Sequence, residues 1–248
     1  MKKISKFLLI GALLTTTVAC DVLEQVAGDV VGAGGTTKPV AAALTNEDVI
    51  SGLKEALSVG ITNSVNLTSI TDGFLKNTEI RLPFPPDAIK VRDKAMELGL
   101  DAQVEKFETT LNRAAEEATK EALPIFKDAI LGMSVSDGFA ILNGGQGAAT
   151  KFLSDNTTTK LTAAFSPKVA TAISQVKLTE YWNPLINKYN QAMTLTGGQK
   201  LNPDLNAFVT ERAISGLFTM VTKEENKIRL DPIARVSDLL AKVFGSIK

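Results

Sequence analysis

Between residues 101 and 122 the chain carries the pattern that most restricts its fold: Val104, Phe107, Leu111, Ala114, Ala115, Ala118 and Ala122 recur at steps of three and four. That spacing puts them on one stripe of an α-helix, with Glu105, Glu108, Asn112, Arg113, Glu116, Glu117 and Lys120 beside it. Alanines along the second half of the stripe leave room for another helix to cross closely. Leu123-Pro124 kinks or restarts the helix, which resumes through Ile125, Phe126, Ala129, Ile130 and Met133. Residues 104–165, which also hold a glycine cluster, are therefore the expected packing axis of the whole domain.

The remaining chain reads as helices joined by turns. Thr45 with Asp48 marks a helix start followed by Val49, Leu53, Ala56, Leu57 and Gly60, and a second short helical piece is expected over residues 69–76. Residues 79–86 contain three prolines in four positions and cannot be helical; Ile80, Leu82 and Phe84 alternate there as a crossover pressed on the core. Pro86 opens a helix that Gly99 closes. Ser134 to Asp137 repeats the capping pattern, and Asn143-Gly144-Gly145 ends the short helix it starts. That glycine cluster lacks both the preceding strand and the Gly-Lys-Ser/Thr ending of a phosphate loop, so it reads as a helix junction. Further starts are expected after the polar run 155–159, at Ser166-Pro167, Asn202-Pro203 and Asp231-Pro232, with a long helix over residues 204–226 and a last one docked by Ile233, Val236, Leu240 and Phe244.

These elements define an all-α fold, a single compact multi-helix domain over residues 45–248. There is one strand-like exception to consider. Residues 79–83 are echoed at 227–232, and Ile50-Ser51-Gly52-Leu53 recurs as Ile214-Ser215-Gly216-Leu217, which suggests a short two-stranded ribbon or pseudo-symmetric halves.

The N-terminus reads as an address. Residues 1–6 are basic, residues 7–14 are apolar, and small residues lead to Ala19-Cys20, the only cysteine of the chain. Val18-Ala19-Cys20 resembles the lipobox of bacterial lipoproteins, with Thr17 where a bulky aliphatic residue is usual. The resemblance implies a lipoprotein signal peptide over residues 1–19, cleavage before Cys20, lipidation of Cys20, and membrane attachment through its acyl chains. Residues 20–44, rich in Gly, Ala and Thr, read as a flexible tether with a reach of roughly 25–30 Å. The expected location is the cell envelope, lipid-anchored at the outer membrane and facing the periplasm.

The 248 residues hold no histidine, so imidazole-based catalysis and the commonest transition-metal ligand are excluded. A single cysteine forms no intramolecular disulfide and no Cys-rich zinc site. Lysines and arginines equal aspartates and glutamates at 27 each, which gives no basic excess for nucleic acid. No cofactor and no metal are expected.

Three runs carry a family resemblance: Leu111-Asn112-Arg113-Ala114-Ala115-Glu116; Ile141-Leu142-Asn143-Gly144-Gly145 with Ala148-Ala149-Thr150; and Glu224-Glu225 with Ile228-Arg229, Pro232 and Arg235. Together they resemble the signature runs of an uncharacterised bacterial envelope lipoprotein family, catalogued as a domain of unknown function, over about residues 45–248. The resemblance implies no activity, cofactor or catalytic residue. Asn112, Arg113, Glu116 and Arg229 are the candidate polar cluster, expected to satisfy one another inside the fold.

Three functions are open on these residues. The first is a non-enzymatic binding or scaffolding module whose partner is an envelope protein, lipid or glycan. The second is a carboxylate-dependent hydrolase of envelope glycans using Glu116, Glu117 and Asp137, since such chemistry needs two carboxyl groups about 5–10 Å apart. The third is a carrier of an apolar ligand or lipid, with Phe107, Phe126, Phe139, Phe152, Phe165 and Phe208 lining a pocket or, alternatively, the core.

Overall fold

The computed structural model describes residues 45–175, 178–202, 204–231, 234–235, 237–238 and 241–243, within one unit that begins at Leu44. The signal peptide, Cys20 and the tether lie outside the described residues. So do Pro203, Pro232, Ile233, Val236, Leu240 and Phe244.

Eight α-helices and no strand occur among the described residues: α1 (Asn46–Ser69), α2 (Ile89–Glu97), α3 (Asp101–Thr119), α4 (Ala122–Leu131), α5 (Val135–Asn143), α6 (Ala148–Gln175), α7 (Leu178–Thr196) and α8 (Leu205–Leu230). A 3₁₀ turn, Pro86–Ala88, leads into α2, and Gly99 at φ 75° turns the chain from α2 into α3. The fold is all-α, as the periodicity predicts.

α6 packs along α8 and α3, while α1 packs along α8. α4 and α5 close the bundle against α1 and α6, and α2 lies on α3. The alanine stripe of α3 explains this arrangement, because Ala114, Ala115 and Ala118 are fully buried and let the neighbouring helices approach the α3 backbone. Phe107 and Leu111 on the same stripe are also buried, each a gain of about 1.5–3 kcal/mol from removal of apolar surface from water. Capping boxes start α1 (Thr45 with Asp48) and α5 (Ser134 with Asp137), each satisfying backbone donors at both ends of the box.

Three local expectations are corrected. Residues 148–175 form one helix rather than three, with Pro167 inside it. The hydroxyl and amide side chains of the polar run do not cap a new start. Asn156, Thr157, Thr158 and Thr162 donate instead to carbonyls one turn back, at 2.6–2.9 Å for the threonines and 2.7 Å for Asn156. Leu161, Phe165 and Val169, one turn apart across the proline, are fully buried, so tertiary packing holds the helix through it.

Residues 227–230 complete α8 and do not extend. The two-stranded ribbon is therefore absent, and Glu79 instead meets Lys223 of α8 in an ion pair. The short helical piece expected over residues 69–76 is split differently. α1 continues to Ser69, and a single helical turn follows, closed by Lys76 N–H to the Asp72 carbonyl at 3.1 Å.

Candidate functional site

Asn112, Arg113 and Glu116 project from one face of α3 toward the segment that leaves α1. After Ile70 the backbone reverses at Asp72, whose φ of 70° lies in the left-handed region. Asp72 tolerates this better than most residues because its short polar side chain bonds locally. Gly73 follows, where a Cβ would sit 2.5 Å from the Leu67 carbonyl oxygen. The reversal aims the N–H groups of Phe74 and Leu75 at α3, and Glu116 Oε1 accepts both, at 3.1 and 3.2 Å. Glu116 Oε2 accepts from Arg113 Nη1 at 2.6 Å, and Arg113 Nη2 donates to Asp72 Oδ1 at 2.5 Å. Lys76 completes the chain on Asp72 Oδ2 at 2.7 Å.

Electrostatics follow from these contacts. Hydrogen bonds from Lys76 and then Arg113 hold the Asp72 carboxyl below its ordinary range. Glu116, then Asp72, raise the Arg113 guanidinium further above its already high value. Glu116 is a buried carboxylate whose two oxygens are both occupied.

One turn earlier on α3, fully buried Asn112 serves the crossover. Its Oδ1 accepts from Leu82 N–H at 2.8 Å, and its Nδ2 donates to the carbonyls of Leu82 and Glu108 at 2.9 and 2.8 Å. Arg81 pairs with Glu108 alongside, at 2.8 Å.

Arg229 is not part of this group. It belongs to a second polar knot, where Glu225 of α8 caps the start of α6. Glu225 accepts from Ala149 N–H at 3.1 Å, Thr150 N–H at 2.9 Å and Thr150 Oγ1 at 2.8 Å. Arg229 Nε donates to Glu225 at 3.0 Å and its Nη2 to the Ile141 carbonyl at 2.8 Å, tying α8 to the end of α5. Of the four sequence candidates the structure thus bonds only Arg113 to Glu116, while Asn112 is spent on the crossover backbone and Arg229 on Glu225. Glu225 is the residue that sequence reasoning left off the site. Its signal was present in the i, i+4 spacing from Glu225 to Arg229.

The other carboxylates are committed as well. Glu117 is half exposed and paired with Lys120 at 2.5 Å. Asp137 is bound within its capping box, and the Ser134 hydroxyl, then the Ser134 N–H, lower its pKa. Among the described residues no group of three His, Cys, Asp or Glu could hold a metal ion, and no helix is long and apolar enough to cross a membrane. Asn226 Oδ1 is a buried polar atom left without a hydrogen-bond partner.

Among the described residues the roomier spaces open at the surface. Beside the Glu225–Arg229 pair the cavity between α1, α6 and α8 measures about 20 Å³, room for one water. A groove of about 480 Å³ runs between α6 and α8, with Phe218 and Ile214 among hydroxyls such as Thr158 and Thr219, whose protons are given to their own helices. A polar recess of about 90 Å³ lies between the crossover and α8 near Arg81 and Arg212. A second groove, about 440 Å³ and almost wholly apolar, lies between α2 and α7. Of the six phenylalanines considered for a pocket, Phe107, Phe126 and Phe165 are core residues, and Phe139, Phe152 and Phe208 pack against that core.

α7 is held to this side of the fold by aromatic contacts. Trp182 stacks on Phe107 with centroids 5.3 Å apart and meets Phe84 edge-on at 5.9 Å. Asn190 then ties the following loop, since its Oδ1 accepts from Leu201 N–H at 2.8 Å and its Nδ2 donates to the Leu201 carbonyl at 2.9 Å.

Comparison with known proteins matches residues 43–245 to a family model described as Protein of unknown function (DUF4197). No curated protein and no solved structure matches the chain.

Proposed function

Since the chain belongs to the family described as Protein of unknown function (DUF4197), which brings no activity with it, we propose from its own residues that it is a non-enzymatic binding module, held at a membrane of the cell envelope by lipid on Cys20. The observation that carries the non-enzymatic reading is the occupancy of Glu116. Both of its oxygens accept hydrogen bonds from the fold itself, two from the backbone of the 74–75 turn and one from Arg113. A general acid or nucleophile must instead meet a substrate atom within hydrogen-bond reach. Glu117 and Asp137, the other acids considered for glycan hydrolysis, are held by Lys120 and by the α5 cap. Glu116 is therefore a structural carboxylate, and binding is left to the surface grooves.

Two measurements test this reading. The chain is incubated with purified peptidoglycan alongside Glu116→Gln, and soluble fragments are measured. Release by the wild type that is lost in the variant overturns the non-enzymatic reading. For the anchor, mass spectrometry of the N-terminal peptide is expected to show acyl chains on Cys20 and none in Cys20→Ser, which should also leave the membrane fraction. An unmodified cysteine in membrane-purified protein removes the anchor from the proposal.

A further inference from the structure

Resting on the binding reading above, we propose that the groove between α2 and α7 holds a single-chain fatty acid, its carboxylate between Lys90 and Lys188 and its acyl chain along Val91, Ala95 and Leu98.

From α2 and the turn after it, Val91, Ala95, Leu98 and Leu100 line the groove, which shows very little polar surface. Leu98 is 66% exposed and Leu100 39%, so apolar surface here remains in contact with water, where burial by an apolar ligand is favourable. The volume of about 440 Å³ falls in the range of small-molecule sites, about 300–1,000 Å³, and toward the end suited to one chain. Val91, Ala95 and Leu98, at steps of four and three on one side of the helix, span roughly 10 Å of its length.

Charge selects the head group. Lys90 and Lys188 border the groove from its two sides, both are exposed, and neither is in an ion pair among the described residues. Tyr189 adjoins Lys188 in the same wall, and its hydroxyl has no hydrogen-bond partner among the described residues. Two ammonium groups and a phenol suit one carboxylate, since charge-assisted hydrogen bonds are the strong ones.

The test uses the full chain carrying Cys20→Ser, so that no attached acyl chain competes. Dansyl-labelled undecanoic acid is titrated in and displaced by palmitate or by the uncharged hexadecanol. Saturable binding at one site per chain is expected, with palmitate displacing the probe at least tenfold better than the alcohol. Lys90→Ala with Lys188→Ala should weaken palmitate at least tenfold and leave the alcohol unchanged. Leu98→Ser, at a largely exposed position, should weaken both ligands about threefold. Ala95→Trp, checked for folding by circular dichroism, should block both.

Absence of saturable binding overturns the proposal, as does a double lysine variant that binds palmitate like the parent. Light scattering that shows a dimer dispersed by Leu98→Ser would assign the groove to a second copy. Sedimentation with phosphatidylglycerol vesicles, lost in the lysine variant while palmitate fails to bind, would assign it to a bilayer. Failure to bind palmitate without any release of peptidoglycan fragments overturns the groove alone; fragment release lost in Glu116→Gln overturns the binding reading beneath it.

Discussion

Asn112 grips Leu82 by both of its backbone groups, accepting from the N–H at 2.8 Å and donating to the carbonyl at 2.9 Å. One side-chain amide thus does for a proline-rich crossover what a neighbouring strand does in a sheet, and it does so where neither backbone group can reach water. Asn190 repeats the arrangement on Leu201. In an all-α fold these two amides are how extended backbone is tolerated against the core.

Asn112→Leu leaves the Leu82 N–H and carbonyl buried and unpaired. The expected loss is about 2–6 kcal/mol, at about 1–3 kcal/mol for each orphaned group. Asn190→Leu, at a half-buried site, should cost less than half as much. Urea unfolding followed by circular dichroism checks the order, and equal midpoint shifts for the two variants would contradict the bridging argument.

Glu116 and Glu225 do the same work at two places, each accepting from backbone donors of another segment, the 74–75 turn and the start of α6, and each paired with an arginine on its own helix. Glu116→Ala and Glu225→Ala should each lose about 2–4 kcal/mol, because buried donors and a guanidinium lose their acceptor. Hydrogen exchange separates the two sites. Protection should fall at Phe74 and Leu75 in the first variant and at Ala149 and Thr150 in the second.

Gly216 of α8 and Gly60 of α1 should respond oppositely to a methyl group. At Gly216 a Cβ would lie 2.6 Å from the ring of fully buried Phe74 and 3.2 Å from Ile80 Cβ, so Gly216→Ala should destabilise by about 1–3 kcal/mol through overpacking. At Gly60 the nearest atoms are 3.6 Å away on Glu224 and Ile228, ordinary contact distance. Gly60→Ala should therefore be neutral or stabilise by up to about 1 kcal/mol through helix propensity. Thermal unfolding of the two variants side by side decides this.

Acid sensitivity follows from three aspartates. The Thr45 N–H and hydroxyl lower the Asp48 carboxyl, the hydrogen bonds from Lys76 and Arg113 lower Asp72, and the Ser134 hydroxyl and N–H lower Asp137. A carboxyl whose folded pKa lies below its unfolded value, about 3.9 for aspartate, stabilises fully above that value and ceases to do so as pH falls through the folded one. Stability should thus be level in this respect above about pH 5 and decline below pH 4. Asp48→Asn, Asp72→Asn and Asp137→Asn together should flatten that decline in urea midpoints measured from pH 6 to pH 2. An unchanged acid slope would show that other groups carry it.

Much of this molecule is readable in its residue order because its information is local. Three- and four-residue spacing identifies α3, and the Thr45/Asp48 and Ser134/Asp137 pairs mark two helix starts by the same short-range chemistry that caps them. Pro83, Pro85 and Pro86 rule out helix through the crossover, since proline removes donors wherever it stands. The alternation of Ile80, Leu82 and Phe84 likewise anticipates their burial.

Local signals misled where long-range contacts outweighed them. Ser166-Pro167 is a sound helix start in isolation, yet burial of Leu161, Phe165 and Val169 on one continuous face carries α6 through it. Residues 227–230 echo residues 79–82, but where Pro83, Pro85 and Pro86 follow the first run only Pro232 follows the second, and residues 227–230 finish α8. Grouping Arg229 with Asn112, Arg113 and Glu116 required knowing which polar side chains face each other across helices, and periodicity carries no such distance. Periodicity, capping chemistry and the missing histidines determined by themselves the helical class and the chemistries the chain lacks. Tertiary structure alone decided that Glu116 faces the backbone of Phe74 rather than a cleft, and that α2 and α7 stand apart by a groove, because both depend on how separate helices cross.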